Sequence, residues 1–148
     1  MKKALLKIWH VILWLWQGPQ HALALAWWGI LALFGLAEKG HEEGPEPGDT
    51  IIRYKKEEGR GCNLGKYSFL RKRHKPGGTA EAHECKGHAG QSQRLGPLYL
   101  PAAGIFSACL GPWQKLFLKN KTQEERDKWY YRQWTEAWAD RLGGVKRK

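Results

Sequence analysis

Three cysteines and one methionine are all the sulfur this chain carries. Cys62, Cys85 and Cys109 are far apart and odd in number, which excludes the dense, even framework of a small secreted disulfide domain. Acids are scarce as well: 14 Asp and Glu stand against 25 Lys and Arg, for a net charge of +11. Such a balance favours anionic partners but carries no information about fold. Recognisable catalytic motifs are also missing. The glycines from Gly59 to Gly65 are not closed by Gly-Lys-Ser/Thr, so they make no phosphate loop. No Ser/His/Asp or Cys/His arrangement stands in motif context, and most acids fall in linkers or on a helix exterior. An enzyme is therefore not expected. His83-Glu84-Cys85-Lys86-Gly87-His88 is the one cluster of metal-ligand residue types. Cys85 with His88, helped by His83 or Cys62, falls short of the four paired ligands of a structural zinc site. Neither a metal nor a cofactor is expected.

Long apolar runs, by contrast, are present at the N-terminus. Ala22–Ala37 carries no charged residue, and Ala4–Trp16 before it is interrupted only by Lys7 and His10. Between them lies Gln17-Gly18-Pro19-Gln20-His21. Each run alone is short of the roughly 20 helical residues that cross a bilayer. Together, over Ile8–Ala37 with a kink at Pro19, they are long enough for a tilted span. Three arrangements compete with that span. Ala22–Ala37 can span alone while Ala4–Trp16 lies in the interface. A cleaved secretory signal can end between Ala22 and Ala26. A helical hairpin can be buried around Gly18-Pro19. The reading adopted is an uncleaved, single-pass signal-anchor in contact with membrane lipid. Where Ala4–Trp16 lies in the interface, Trp9, Trp14 and Trp16 would sit at headgroup depth, and the basic tail tilts the orientation toward a cytoplasmic tail.

The remaining chain divides by composition. After the anchor (1–37) comes an acidic Gly/Pro linker (38–49), read as a flexible, solvated spacer. A basic, Gly-rich and poorly ordered region (50–96) follows, with Thr50–Lys55 and Lys66–Leu70 as strands of a short β-hairpin. Within it Arg71, Lys72, Arg73 and Lys75 form a run suited to phosphates or another anionic partner. The last segment (97–148) holds an apolar patch broken by Pro97, Pro101 and Pro112, then one long helix over Thr122–Leu142. That helix has a capping box, Thr122-Gln123-Glu124-Glu125, and a stop at Gly143-Gly144. Tyr130, Tyr131, Trp134 and Trp138 share one of its faces, as a core or protein contact. Glu136 and Asp140 are placed at or beyond the edge of that face, Glu136 pairing with Arg132.

The fold class expected is thus mainly α, with a membrane-type helix, a linker, a loose basic middle and a C-terminal amphipathic aromatic helix. The function expected is a small, basic, membrane-anchored accessory or adaptor protein acting through protein or anionic-surface contacts. Nucleic-acid binding through Arg71–Lys75 is the alternative. Abundant Trp, Gly and Arg is also what chance translation of a G-rich frame produces, so a little-selected reading frame is the further alternative. No small-molecule substrate is evident.

Overall fold

The computed structural model describes residues 2–38, 41–46, 48–55 and 60–147. The apolar N-terminus forms two helices, α1 (Lys2–Trp16) and α2 (Gly18–Leu33), separated at Gln17 with Pro19 in the first turn of α2. That position suits a residue without an N–H. At 15 and 16 residues, each helix is roughly 23 Å long, short of a hydrocarbon layer of about 30 Å. Among the described residues no helix is long and apolar enough to cross a membrane. The expected single-pass anchor, its membrane localisation and the membrane-anchored adaptor function built on it are corrected accordingly.

The polar break between the two helices ties them to the rest of the chain by hydrogen bonds. Gln17, Gln20 and His21 are at most 2% exposed. Gln17 Nε2 donates to Ser92 Oγ at 2.8 Å and Gln20 Nε2 to the Gly96 carbonyl at 2.5 Å. The Lys66 amide donates to His21 Nε2 at 3.2 Å. Most apolar side chains of α1, from Leu5 to Trp16, stay exposed.

Burial and the nearby Lys66 charge hold His21 below its ordinary pKa. A depressed folded-state pKa means that the stability His21 supplies is present above about pH 6.5 and is lost as pH falls through the folded value. The melting temperature should therefore drop on acidification below pH 6.5. His21→Asn should flatten that slope, and an unchanged profile in the variant would place the titration elsewhere.

Strands β1 (Glu42–Glu43), β2 (Thr50–Tyr54), β3 (Cys62–Leu64) and β4 (Tyr67–Arg71) form one mixed sheet in the order β1-β2-β4-β3. Both strands expected in the basic middle exist, but they do not form a hairpin. They run parallel, with Thr50 opposite Tyr67 and Tyr54 opposite Arg71. The hairpin is instead β3–β4, with Leu64 opposite Tyr67 and Gly65 in the turn at φ +68°. β2 is buried along nearly its whole length, as a parallel strand covered on both faces must be. Ile52 and Phe69 face α2 in a cluster with Ala24 and Leu31. Their neighbours Ile51 and Leu70 pack on the other side with Cys85, as the two-residue period of a strand requires.

A mainly α chain with a loose middle is therefore replaced by an α/β arrangement with the sheet between helical layers. The acidic stretch is not a free spacer either. Glu42 grips Arg53 with two hydrogen bonds of 2.7 and 2.8 Å, and Asp49 pairs with Lys66 in a buried contact at 2.9 Å. Lys39, Gly40 and Pro47 of that linker, and residues 56–59 of the glycine-rich loop, lie outside the described residues.

After the sheet a continuous helical rod is built from α3 (Thr79–Glu81), a π-helical stretch (Ala82–His88) and α4 (Ala89–Leu95). The proline-containing apolar patch breaks into a 3₁₀ turn (Gly96–Leu98), a second π stretch (Leu100–Gly104) and α5 (Ile105–Phe117), with Pro112 inside. The expected C-terminal helix is split at Arg132-Gln133 into α6 (Gln123–Tyr131) and α7 (Trp134–Gly143). The Thr122/Glu125 capping box is formed in both directions, and Gly144 ends α7 in the left-handed conformation.

Candidate metal centre

The first π stretch sets the geometry of the site. Residues five apart on an α-helix differ by about 140° around the axis. A π-helix bonds i to i+5 and brings such residues toward one side. His83 and His88 accordingly meet edge to face, with ring centroids 4.7 Å apart. Ligand atoms of His83, Glu84 and His88 all lie within 4.8 Å of one another, and all three residues are buried. Gly87 makes the arrangement possible, because a Cβ there would collide with the Ala139 carbonyl of α7. Gly143 allows a second close approach, its Cα facing the Ala82 carbonyl.

α7 lies against this stretch and delivers two carboxylates, Glu136 and Asp140, one turn apart. Glu136 is fully buried. Its Oε1 accepts from the hydroxyls of Ser107 and Thr135, which leaves Oε2 facing the imidazoles. Glu136 Oε2 stands 3.0 Å from His83 Nε2 and 3.5 Å from His88 Nε2. The opposite ring nitrogens are also engaged: His83 Nδ1 meets Asp140 Oδ1 at 2.7 Å, and His88 Nδ1 meets Gln91 Oε1 at 2.8 Å. Gln91 Nε2 donates to the Thr135 carbonyl, so its Oε1 is the acceptor.

These contacts determine the tautomers. Asp140 and Gln91 Oε1 can only accept, so both Nδ1 atoms carry the hydrogen. Both Nε2 lone pairs then face the same carboxylate oxygen, Glu136 Oε2. Three acceptors this close in a buried site require a cation between them, either a proton or a metal ion. The electrostatics agree. Burial lowers the pKa of His83, but Asp140 and Glu136 outweigh it and hold the imidazole up to about 9. Burial also opposes ionisation of Glu136 and Asp140, yet the histidines, with Arg147 at Asp140, keep both below the usual carboxylate range. Glu84 differs: burial pushes its carboxyl upward, and its Oε2 is buried without a hydrogen-bond partner.

A cleft of about 940 Å³ opens beside His83 and Glu84. Of the basic run, Arg71 and Arg73 line it, whereas Lys72 turns to Glu38 at 3.4 Å and Lys75 is not in its wall. The four aromatics expected on one face separate. Tyr131 lines the cleft and meets the His83 ring edge-on at 5.5 Å. Tyr130 is buried under the Arg60 guanidinium at 3.7 Å. Trp134 and Trp138 stack on each other at 6.3 Å on α7.

The cysteines considered as ligands stand elsewhere. Cys85 packs with Ile51 and Leu70, and Cys62 Sγ is 3.9 Å from the Tyr54 hydroxyl. The residues that the sequence reading passed over are Glu136, Asp140 and the pairing of His83 with His88. One signal was present: two acids four apart on a helix share a face and need a partner. No protein-family model, curated protein or solved structure matches this chain, so the site is read from its own geometry.

Proposed function

We propose that the protein is a single-metal hydrolase, with a divalent ion of the zinc type held by His83, His88 and Glu136. The observation that carries this is the approach of Glu136 Oε2 to the Nε2 atoms of both histidines, at 3.0 and 3.5 Å. Ligands about 2.0–2.1 Å from a tetrahedral metal stand roughly 3.3 Å from one another. Asp140 and Gln91 fix the two rings from behind, and Ser107 and Thr135 fix the carboxylate, the outer support that orients metal ligands.

Glu84, directly after the first histidine, is the proton acceptor. The same division of labour occurs where a His-Glu-x-x-His pair lies on an α-helix, with the glutamate as base for a zinc-held water. Here the extra residue between the histidines is absorbed by the π-helical register. A metal in such a site polarises the substrate carbonyl and acidifies its water. A non-catalytic protein, in which His83 is simply an imidazolium between Glu136 and Asp140, makes the opposite forecast for metal.

After treatment with EDTA, zinc titrated into the full chain by calorimetry should bind at about one ion per chain with submicromolar affinity. Glu84→Gln should retain that affinity while lowering the hydrolysis of a quenched fluorescent peptide by about 10²–10⁴-fold. A native protein that takes up no zinc would sink the proposal. Unaltered turnover in Glu84→Gln would remove Glu84 from the role of base.

A further inference from the structure

Building on the hydrolase reading, we infer that the substrate is an acidic peptide whose side-chain carboxylates are held in the basic cleft beside His83 and Glu84. The walls of the cleft come from separate parts of the fold. Arg71 ends β4, Arg73 lies in the turn that follows it, Lys115 stands on α5 and Arg126 on α6. Arg71 donates from Nε to the Arg60 carbonyl at 3.1 Å and lies over the Tyr54 ring at 4.5 Å, which fixes its guanidinium in place. Among the described residues, Arg71, Lys115 and Arg126 form no ion pair, although the chain contains acids that could have been placed there. The Nε of Arg126 is buried without an acceptor. A buried donor of this kind costs free energy until something supplies an oxygen. Guanidinium forks match planar carboxylates in two-pronged contacts, and the ligand chemistry follows from that.

Two observations favour a peptide over a nucleic acid. The aromatic rings nearest the cleft are already covered by cations: Arg60 lies 3.7 Å over Tyr130, and Arg147 lies 3.2 Å over Tyr131. Tyr130 is buried as well, and the guanidinium over Tyr131 competes with a base for that ring. Among the described residues the metal-ligating side chains also gather at one place, His83, Glu84 and His88 with Glu136 beside the two imidazoles. In-line displacement at phosphodiesters commonly uses two metals about 3.5–4 Å apart.

Amide hydrolysis balances without a further reagent. The water oxygen bonds to the scissile carbonyl carbon, and the C–N bond breaks. Glu84 takes a proton from the water and passes it to the leaving nitrogen. The water's second proton passes from the new carboxyl group to the amine, so the products are a carboxylate and an ammonium.

The test uses the full chain freed of metal, with fluorescence anisotropy of a labelled Glu-rich peptide. A Gln-rich peptide of equal length and an oligothymidylate of equal charge are the comparisons. The Glu-rich peptide should bind at least about tenfold more tightly than the Gln-rich one and weaken as salt rises. The double variant Lys115→Gln with Arg126→Gln should lose that preference while still binding zinc. Equal binding of the two peptides, tighter binding of the oligothymidylate, or a preference that survives in the double variant would each overturn the assignment. Zinc is titrated into the same preparation. Zinc uptake without peptide discrimination overturns the acidic substrate alone. Absence of zinc uptake overturns the hydrolase and, with it, the peptide as a substrate.

Discussion

Glu136→Gln is expected to lower zinc affinity by more than about 100-fold, the largest single effect in the molecule. Loss of an outer-shell partner alone typically costs about 10–100-fold, and Glu136 is a proposed ligand. Its Oε2 is the atom that both Nε2 atoms approach, and the amide that replaces it presents either a weaker acceptor or a clashing donor. The same change acts on the metal-free protein. His83 is held positively charged by Asp140 and Glu136, and Glu136 is fully buried. Removing one partner from a buried charged cluster costs about 3–5 kcal/mol. Thermal unfolding without metal should therefore show a clear loss, and zinc should no longer raise the transition. Calorimetry on folded protein, verified by circular dichroism, reads the affinity directly. Zinc binding at native affinity in this variant would exclude Glu136 as a ligand.

Gly87→Ala should be nearly as damaging, though the glycine touches no ligand atom. Its Cβ would meet the Ala139 carbonyl oxygen, carbon and Cα of α7, all inside ordinary contact distance. The collision is with backbone, which cannot rotate away. Gly143 packs its Cα against the Ala82 carbonyl at the other end of the contact, so α7 cannot simply shift along the rod. Overpacking of this kind costs about 1–3 kcal/mol, or about 2–4 °C in melting temperature per kcal/mol for a chain of this size. Displacing α7 also moves Glu136 and Asp140 together, so zinc affinity should fall in parallel with stability. Gly111→Ala is the control. Nothing lies within 4 Å of its Cβ position in the middle of α5, so alanine there should be neutral or stabilising by up to about 1 kcal/mol. A Gly87→Ala protein that melts with the native one would mean that α7 does not pack on the π stretch as described.

Signals that concern near neighbours along the chain were legible in the sequence. Thr122 and Glu125 announce a helix start because the two hydrogen bonds of a capping box span only three residues, and both are present. Thr50–Lys55 and Lys66–Leu70 announce strands through their β-branched and aromatic residues, and β2 and β4 lie there within a residue. Gly144 marks the end of α7 because a positive φ costs glycine little.

Other features depended on residues distant in the chain. Whether β2 and β4 pair parallel or antiparallel depends on what covers both faces of the sheet, and α2 and the helical rod supply that cover. The apolar N-terminus suggested a membrane because hydropathy counts side chains without asking which are anchored. Its Ala24, Leu31 and Ala37 join the apolar core, and the polar Gln17, Gln20 and His21 are buried beside them with partners 45 to 76 residues away. Arg71 and Arg73 stood out as charge, but the cleft they share with Lys115 and Arg126 exists only once β4, α5 and α6 meet.

The metal centre shows the same division most sharply. His83 and His88 look mismatched at the α-helical period, and a π-helical register is a backbone state that no short motif declares. Glu136 and Asp140 resemble the solvated side of an amphipathic helix until α7 turns them against the rod. By itself the sequence determined helix caps, strand positions and the supply of charge, because those depend on neighbouring residues and composition. Only the tertiary structure decided strand direction, helical register and which acids are buried, because each depends on a contact between segments that no local energy specifies.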